Sequence, residues 1–402
     1  MQDANIPKHV PPELVRNFNI FEFITPSQDV HQAWRKLIDD EPDVFYTTAF
    51  GGFWVITSGE LLEKAFLDPE LFCSGKSVGI PPTPPELPPF LPIDSDDPFH
   101  AAIRRPLNMA LSPKSVQALS MQARELATLL VAEIAPRGRC DFVNEFSLKM
   151  PMQLFLNIVD LPLDDREYLL GIAHQGLRNP DPKRRREAHT EMHAYLDSWV
   201  RKRAEHPGDD FMSKVVTLEV DGKPLSHEER IGYMTTVMFG GLDTVGGMMA
   251  MSARHLAEHP EHRRQLVAHP EGIPDAIEEI LRRYGIPTVG RYVTRDVEFG
   301  GIQLKEGDRI MLPTMVHGLD ERRWPDAMTV KLDRHPHDHL AFGKGTHRCP
   351  GANLARAELR IFLEEWLKRI PDFSIDPKGQ LQFESGSVAG LKTLPLVWPK
   401  PQ

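Results

Sequence analysis

The sequence predicts a mainly α-helical protein with a small β region. Three observations lead there. Apolar residues recur at three-to-four spacing through most of the 402 residues, which is the period of an amphipathic helix. Stretches rich in β-branched and aromatic residues are short and fall in two places, one near residue 50 and one after residue 285. No internal repeat and no polar linker divides the chain, so one domain over residues 1–402 is expected.

The elements follow in order. "VHQAWRKLID" and "ELLEKAFLD" carry helical spacing. Between them "DVFYTTAFGGFWVITS", turning at Gly51-Gly52, reads as a hairpin. "PPTPPELPPFLP" (81–92) holds seven prolines and can be neither regular helix nor central strand. Such composition is common in linkers, but Leu87, Phe90 and Leu91 are apolar, which favours an ordered loop covering a pocket. Helical patterns cover roughly 97–110, 113–134, 145–160, 163–178 and 185–205, then a long one from Glu228 to Glu258. "AIEEILRRYG" is a further helix, "GRYVTRDVEFGGIQLKEGDRIMLP" a set of short strands, and "ANLARAELRIFLEEWLKRI" the last helix. Strand-like segments ending in "TLPLVW" close the chain.

Composition narrows the function. Net charge is −10, which argues against nucleic-acid binding or a polyanionic membrane surface. No apolar run reaches roughly 18 residues, so no membrane-spanning helix is expected. "MQDANIPKHVPPELV" lacks a basic region followed by an apolar one, so no secretory signal is expected. Cys73, Cys140 and Cys349 lie far apart and form no CxxC. Neither a disulfide framework nor a zinc site follows from them, and a cytoplasmic protein with reduced thiols is expected.

Two stretches carry chemistry. "AFGKGTHRCPGANLARAELRI" places Phe342, Gly343, Gly345, His347, Cys349 and Gly351 just before a helix. Glycines let backbone form a tight bulge and approach a flat ligand. The helix N-terminus supplies N–H groups that favour a thiolate. A lone cysteine is more often a buried hydrophobe, but this spacing reverses the odds. A haem iron held by a thiolate is the ligation of oxygen-activating haem enzymes. The second stretch, "GGLDTVGG" (240–247), spends four glycines, about 4 kcal/mol relative to alanine, inside the longest helical pattern. It also sets Asp243 and Thr244 where apolar residues belong, and such local rule-breaking marks sites.

Together these motifs resemble the cytochrome P-450 superfamily of haem-thiolate monooxygenases. "FGKGTHRCPG" is similar to its haem-binding loop, with Cys349 as axial ligand. "EILR" resembles the Glu-x-x-Arg pair, Glu279 and Arg282, with Arg334 as third partner. "GGLDTV" resembles the oxygen-binding helix, and "DDPFHAAIRR" the helix whose His100 and Arg104 reach haem propionates. The resemblance implies a triangular helical prism with haem b between the oxygen-binding helix and the helix after Cys349. It implies Gly240 and Gly241 opening the helix to haem and O2, Thr244 holding activated oxygen by a hydrogen bond, and Asp243 relaying protons from solvent. Arg104, Arg291, His347 and His100 are the expected propionate partners. Phe90, Thr236, Phe239, Pro287 and Val388 are the expected pocket walls.

"IPDFSI", "LPLVW", "GGLDTV" and "GLDER" are similar to the bacterial camphor-monooxygenase subfamily. That subfamily is soluble and receives electrons from a [2Fe–2S] ferredoxin served by an NADH-dependent reductase. The chain departs from it at one point: no tyrosine lies between Tyr46 and Tyr168, and Pro88 stands where the subfamily's ketone-binding tyrosine is expected. A compact cyclic monoterpenoid such as the ether cineole, or an ionone-like norisoprenoid, is therefore expected over camphor. Asp243-Thr244 argues against a peroxide-driven peroxygenase. A haem-based sensor or electron carrier would need neither oxygen groove nor pocket loop. A monomer is expected. Lys344, Arg348 and Arg356 flank the Cys349 loop and are the expected docking charges for an acidic ferredoxin.

Overall fold

The helical patterns start where the sequence supplies caps. In the computed structural model, which describes residues 6–84 and 86–400, α1 (Val30–Asp40) begins at Asp29, whose carboxylate accepts the N–H groups of His31 and Gln32. Ser58 caps α2 (Gly59–Leu67) in the same manner. Then come α3 (Phe99–Ala110) and α4 (Pro113–Ile134), the latter opened by Ser112 and Pro113. α5 (Lys149–Val159) and α6 (Arg166–Arg178) follow. α7 (Pro182–Glu205) starts three residues before its apolar pattern, because Asp181 and Pro182 supply cap and first turn. α8 (Phe211–Val216) leads to α9 (His227–Leu242), which opens with a reciprocal Ser226–Glu229 capping box. α10 (Thr244–Glu258), α11 (Pro260–Ala268), α12 (Ile273–Arg283), α13 (Thr314–Leu319) and α14 (Ala352–Arg369) complete the set.

Two helices differ from their patterns. The long segment 228–258 is two helices, divided at Asp243, whose backbone (φ −121°, ψ −31°) leaves the helical region. The pattern from 145 begins as a π-helical turn over Val143–Ser147 before α5. Among the described residues, no helix is long and apolar enough to cross a membrane.

The hairpin forms as Val44–Thr47 paired antiparallel with Phe53–Ile56, Tyr46 opposite Trp54. Gly51 and Gly52 turn it at φ +83° and +92°, and a Cβ on Gly52 would sit 1.8 Å from the Tyr46 hydroxyl. These strands join a six-stranded sheet running Val15–Arg16, Val44–Thr47, Phe53–Ile56, Arg309–Pro313, Thr288–Val293, Phe72–Cys73. A three-stranded sheet joins Ser374–Ile375, Pro395–Val397 and Arg139–Asp141, while Gln382–Glu384 pairs with Gly390–Thr393.

Apolar burial gathers in two clusters. One lies beneath the large sheet and α10, α12 and α14. The other lies among α5, α6, α7, α8 and α9. Between them runs the proline-rich segment, of which residue 85 lies outside the described residues, as do residues 1–5 of the N-terminal stretch. Its described residues form neither helix nor strand. One buried side chain holds its ends: Asp94 accepts the Val78 N–H at 2.7 Å and the Phe90 N–H at 3.0 Å. Burial raises the Asp94 carboxyl to about 6, against those two N–H bonds. The loop lies on α9 at Gly232, where a Cβ would stand 2.1 Å from the Pro89 carbonyl oxygen.

Candidate active site

Cys349 sits at the end of a tightly folded loop. Its N–H donates to the Phe342 carbonyl at 2.9 Å, and Arg348 N–H to Gly345 at 3.1 Å. Gly343 (φ +65°) and Gly345 (φ +69°) take the left-handed conformation this path requires. A Cβ on Gly345 would meet the Phe66 carbonyl at 2.5 Å. Gly351, where a Cβ would stand 3.8 Å from the Cys349 sulfur, leads into α14. Phe342 lies under the Arg356 guanidinium, 4.6 Å from ring centre. The Cys349 side chain is accessible, yet burial raises its thiol above the usual range, against the Gly351 N–H and nearby arginines. A sulfur both accessible and deep in protein faces an internal hollow.

The second stretch singled out by the sequence forms the α9–α10 break. A Cβ on Gly240 would meet nothing within 4 Å, and Gly240 is exposed in mid-chain. Thr244 Oγ1 donates to the Gly240 carbonyl at 2.9 Å, so a side chain competes for the backbone partner where the helix opens. Gly241 corrects the expectation that both glycines open the helix. Its Cβ would strike the Phe155 ring at 2.4 Å, so Gly241 admits α5 against α9 rather than a ligand. Gly246 and Gly247 likewise serve close packing, against the Ser147 carbonyl and Ile286.

Asp243 is buried, 4% exposed. Arg178 Nη1 donates to its Oδ1 at 2.6 Å, and Arg178 Nη2 lies 2.6 Å from Oδ2. Arg178 also donates to the Val388 carbonyl at 3.1 Å, and Glu384 stands 3.8 Å away, itself held by His174 at 2.8 Å. Although burial disfavours its charge, Asp243 keeps the Arg178 guanidinium above its usual range. The carboxylate is thus clamped, not open to solvent. Sequence reasoning missed Arg178. A basic residue ending a helix is explained by the helix dipole alone, and nothing local linked it to Asp243, 65 positions away.

Two arginines and two histidines gather beside the Cys349 loop. The His100 and His347 rings lie 4.0 Å apart. Arg104 Nη1 stands 3.5 Å from His100 Nε2 and donates to the Thr346 carbonyl at 3.1 Å, and its other arm reaches the Arg348 carbonyl. Burial, Arg291, His100 and Arg104 together push His347 down to about 2. Burial lowers Arg291 to about 10, with only Asp96, Asp94 and Cys73 opposing at a distance. Among the described residues neither Arg104 nor Arg291 is ion-paired with a carboxylate. Arg291 is buried and Arg104 half-buried; a buried cation without counter-charge is costly, and a bound dianion would answer it.

Glu279 and Arg282, both fully buried, meet at 2.8 Å, and Arg334 Nε reaches Glu279 at 3.1 Å. Arg282 also donates to the carbonyls of Gly318 and Ala327 at 2.6 Å each. The trio fastens the backbone upstream of the Cys349 loop to α12.

The chain has relatives that match this arrangement from end to end. A probable cytochrome P450 127A1 of Sinorhizobium fredii is 35% identical over 98% of this chain and 97% of its own. The chain belongs to the cytochrome P450 family. The family model "Cytochrome P450" matches residues 273–395. A mycinamicin IV hydroxylase/epoxidase of Micromonospora griseorubida is 30% identical over 93% of this chain and 98% of its own. The crystal structure of CYP101J2 superposes with TM-score 0.86 at 35% identity, over 98% of this chain and 99% of that one. CYP101C1 superposes with TM-score 0.86 at 36% identity, over 98% and 100%.

The residues of this cytochrome P450 fit a haem. Gly240 leaves the α9 backbone bare, the Cys349 sulfur is accessible, and the two arginines and two histidines supply donors for a paired anion. Of the expected pocket walls, Phe90 packs edge-on to Phe239 at 6.1 Å. Pro287 and Val388 form an isolated antiparallel bridge outside the strands. Thr236 turns its hydroxyl onto the Gly232 carbonyl at 3.1 Å.

The docking charges need correction. Arg356 makes a two-pronged pair with Glu278 at 2.6 and 2.8 Å. Lys344 is held by Glu63 and Asp338 at 2.5 and 2.7 Å. Both charges are answered within the molecule. Of the three, Arg348 alone is exposed and outside any ion pair among the described residues.

Proposed function

We propose that this cytochrome P450 monooxygenase uses haem b to hydroxylate a compact cyclic terpenoid, cineole-like or camphor-like, with an ionone-like norisoprenoid as the second reading. Electrons come from a [2Fe–2S] ferredoxin and its NADH-dependent reductase, in the cytoplasm. The observation that carries the reading is end-to-end similarity to CYP101J2 and CYP101C1, joined to a loop that sets Phe90 against Phe239 and offers prolines, not a tyrosine, above α9. Such walls orient a substrate by shape.

The residues divide the work. Cys349 would provide the sulfur that holds the iron, and Arg104, Arg291, His100 and His347 would hold the propionates. When bound, the haem supplies an iron whose thiolate ligand favours O–O cleavage. Thr244 Oγ1 turns from the Gly240 carbonyl to hold a proton at the oxygen-binding groove. Asp243, released from Arg178, passes a proton from the α6 side toward Thr244. Glu279, Arg282 and Arg334 keep the Cys349 loop in place. Phe90, Thr236, Phe239, Pro287 and Val388 hold substrate and exclude water.

The test is a ligand screen on the purified holoprotein. Cyclic monoterpenoids and norisoprenoids are titrated for the low-to-high-spin Soret shift, then turned over with ferredoxin, reductase and NADH. A saturable shift and a hydroxylated product with one of them are expected. A shift with a steroid or macrolide, and none with any terpenoid, overturns the substrate reading.

A further inference from the structure

Far from the hollow, at the other end of α10, three histidines crowd one corner. His255 lies in the last turn of α10, His259 caps it, and Pro260 starts α11 at once, bringing Glu261 and His262 back toward them. The rings stack with tilts of 27–30°: His255–His259 centroids are 4.4 Å apart, His255–His262 5.1 Å and His259–His262 5.5 Å. His259, Glu261 and His262 each offer a ligand atom, all within 4.8 Å of one another. His259 Nδ1 already stands 3.1 Å from Glu261 Oε1.

Behind them is an ordered support. His262 Nδ1 meets His255 Nε2 at 2.9 Å, and His255 Nδ1 meets the Tyr284 hydroxyl at 3.1 Å. The relay leaves His262 Nε2 for another partner. A ring nitrogen tied to a hydrogen-bond acceptor behind it is the usual support of a metal-bound histidine. The nearby Arg254 is paired with Asp29 and Glu258 at 2.7 and 3.1 Å, so its charge is answered before any ion arrives.

We propose that His259, Glu261 and His262 form a binding site for a divalent transition ion of the zinc class, with His255 and Tyr284 as its positioning residues. Two imidazoles and a carboxylate match the borderline character of Zn2+ and leave a fourth position for water. An ion held there fastens the end of α10 to the first turn of α11. The donors come from both sides of the α10–α11 corner, so binding reinforces a junction that one proline otherwise shapes. None of these residues touches the haem site, so the two proposals stand or fall apart.

The experiment is zinc binding to the holoprotein after chelator treatment, read by competition with a zinc-sensing dye and by metal analysis after gel filtration. Wild type retains one zinc per haem and melts higher with zinc than without. His259→Ala and Glu261→Gln, both at the surface, lose stoichiometric zinc and the zinc-dependent rise, with unchanged melting in chelator and an unchanged CO-difference band. His255→Gln weakens zinc about 10–100-fold, the cost of removing an outer partner. The paired control His335→Ala/His337→Ala binds as wild type. The proposal is overturned if wild type retains no zinc. It is equally overturned if His259→Ala and Glu261→Gln bind as well as wild type, or if the His335/His337 control loses the ion instead.

Discussion

Replacing Arg178 by methionine tests the clamp on Asp243. The side chain lost is 5% exposed and its partner 6%. Both guanidinium contacts to Asp243 are 2.6 Å, and the Val388 carbonyl takes a third bond at 3.1 Å. Removing one partner of a buried pair costs about 3–5 kcal/mol, because the other charge stays behind unanswered. The orphaned carbonyl adds about 1 kcal/mol. Unfolding entropy is about 2.1 cal/mol/K per residue, so for 402 residues one kcal/mol corresponds to about 1.2 °C. Arg178→Met should therefore melt about 5–7 °C below wild type. Replacing both partners, as in Arg178→Met/Asp243→Leu, removes the stranded charge and should recover to within about 2 °C. The four members of the cycle are compared as holoproteins at one scan rate, followed by the Soret band, since loss of a cofactor makes absolute free energies ill-defined. If Arg178→Met melts within 1 °C of wild type, or the double variant falls by the sum of the singles, the clamp does not carry this energy.

Five further outcomes follow from the geometry. Cys349→Ser should lose the CO-difference band that thiolate ligation produces; a retained band means another ligand. Thr244→Ala should bind substrate and consume oxygen but release hydrogen peroxide in place of product, while Asp243→Asn should slow oxygen uptake itself; full coupling in the alanine variant refutes the role given to the hydroxyl. Gly232→Ala places a methyl 2.1 Å from the Pro89 carbonyl, and overpacking of about 1–3 kcal/mol should weaken substrate binding about 5–150-fold in a spin-shift titration, leaving the CO-difference band intact. At the docking face, Arg348→Glu should slow reduction by the ferredoxin at low salt, the deficit shrinking as salt rises. Arg356→Gln should act on acid stability instead. Burial alone would raise Glu278, but Arg356 and His339 win and hold it at about 2, below its ordinary 4.5. The stability this pair gives is present above pH about 4.5 and lost as pH falls toward 2. The variant's melting temperature should therefore fall at neutral pH and change less than wild type across that window.

What the sequence disclosed was what lies close along the chain. The Cys349 loop was legible because bulge, thiol and helix start fall within ten residues, each demanding its own residue type. Four glycines within the long helical pattern likewise announced a weak point. Its form was not legible, since periodicity continues across Asp243 while the backbone does not. Nor were the partners of charged groups: Arg178 lies 65 positions from Asp243, and Glu278 lies 78 from Arg356. A cation near a functional loop reads as free until the fold supplies its acid, which is why Arg356 and Lys344 were assigned to docking. Gly241 shows the same limit, because whether a missing Cβ admits a ligand or a phenyl ring depends on which helix packs there.

The single carboxylate of Asp94 ties the residues at positions 78 and 90 to one point. Ile80 is buried and the Thr83 N–H donates to Ser77 Oγ at 3.1 Å, so it is the stretch after Thr83 whose length can change without breaking either anchor. Doubling the length of a flexible loop costs only about 0.6 kcal/mol in closure entropy, and neither anchor depends on the identity of the intervening residues, since both donors are backbone N–H groups. The proline-rich stretch is thus an exchangeable cassette. A related enzyme could accept a longer or bulkier insert there and change the molecules it admits, while the thiolate loop, the Arg178 clamp and the Glu279 network keep their geometry. Grafting foreign loops between Thr83 and Phe90 is accordingly a direct engineering route from this chain to new substrates, with Asp94 as the residue to leave untouched.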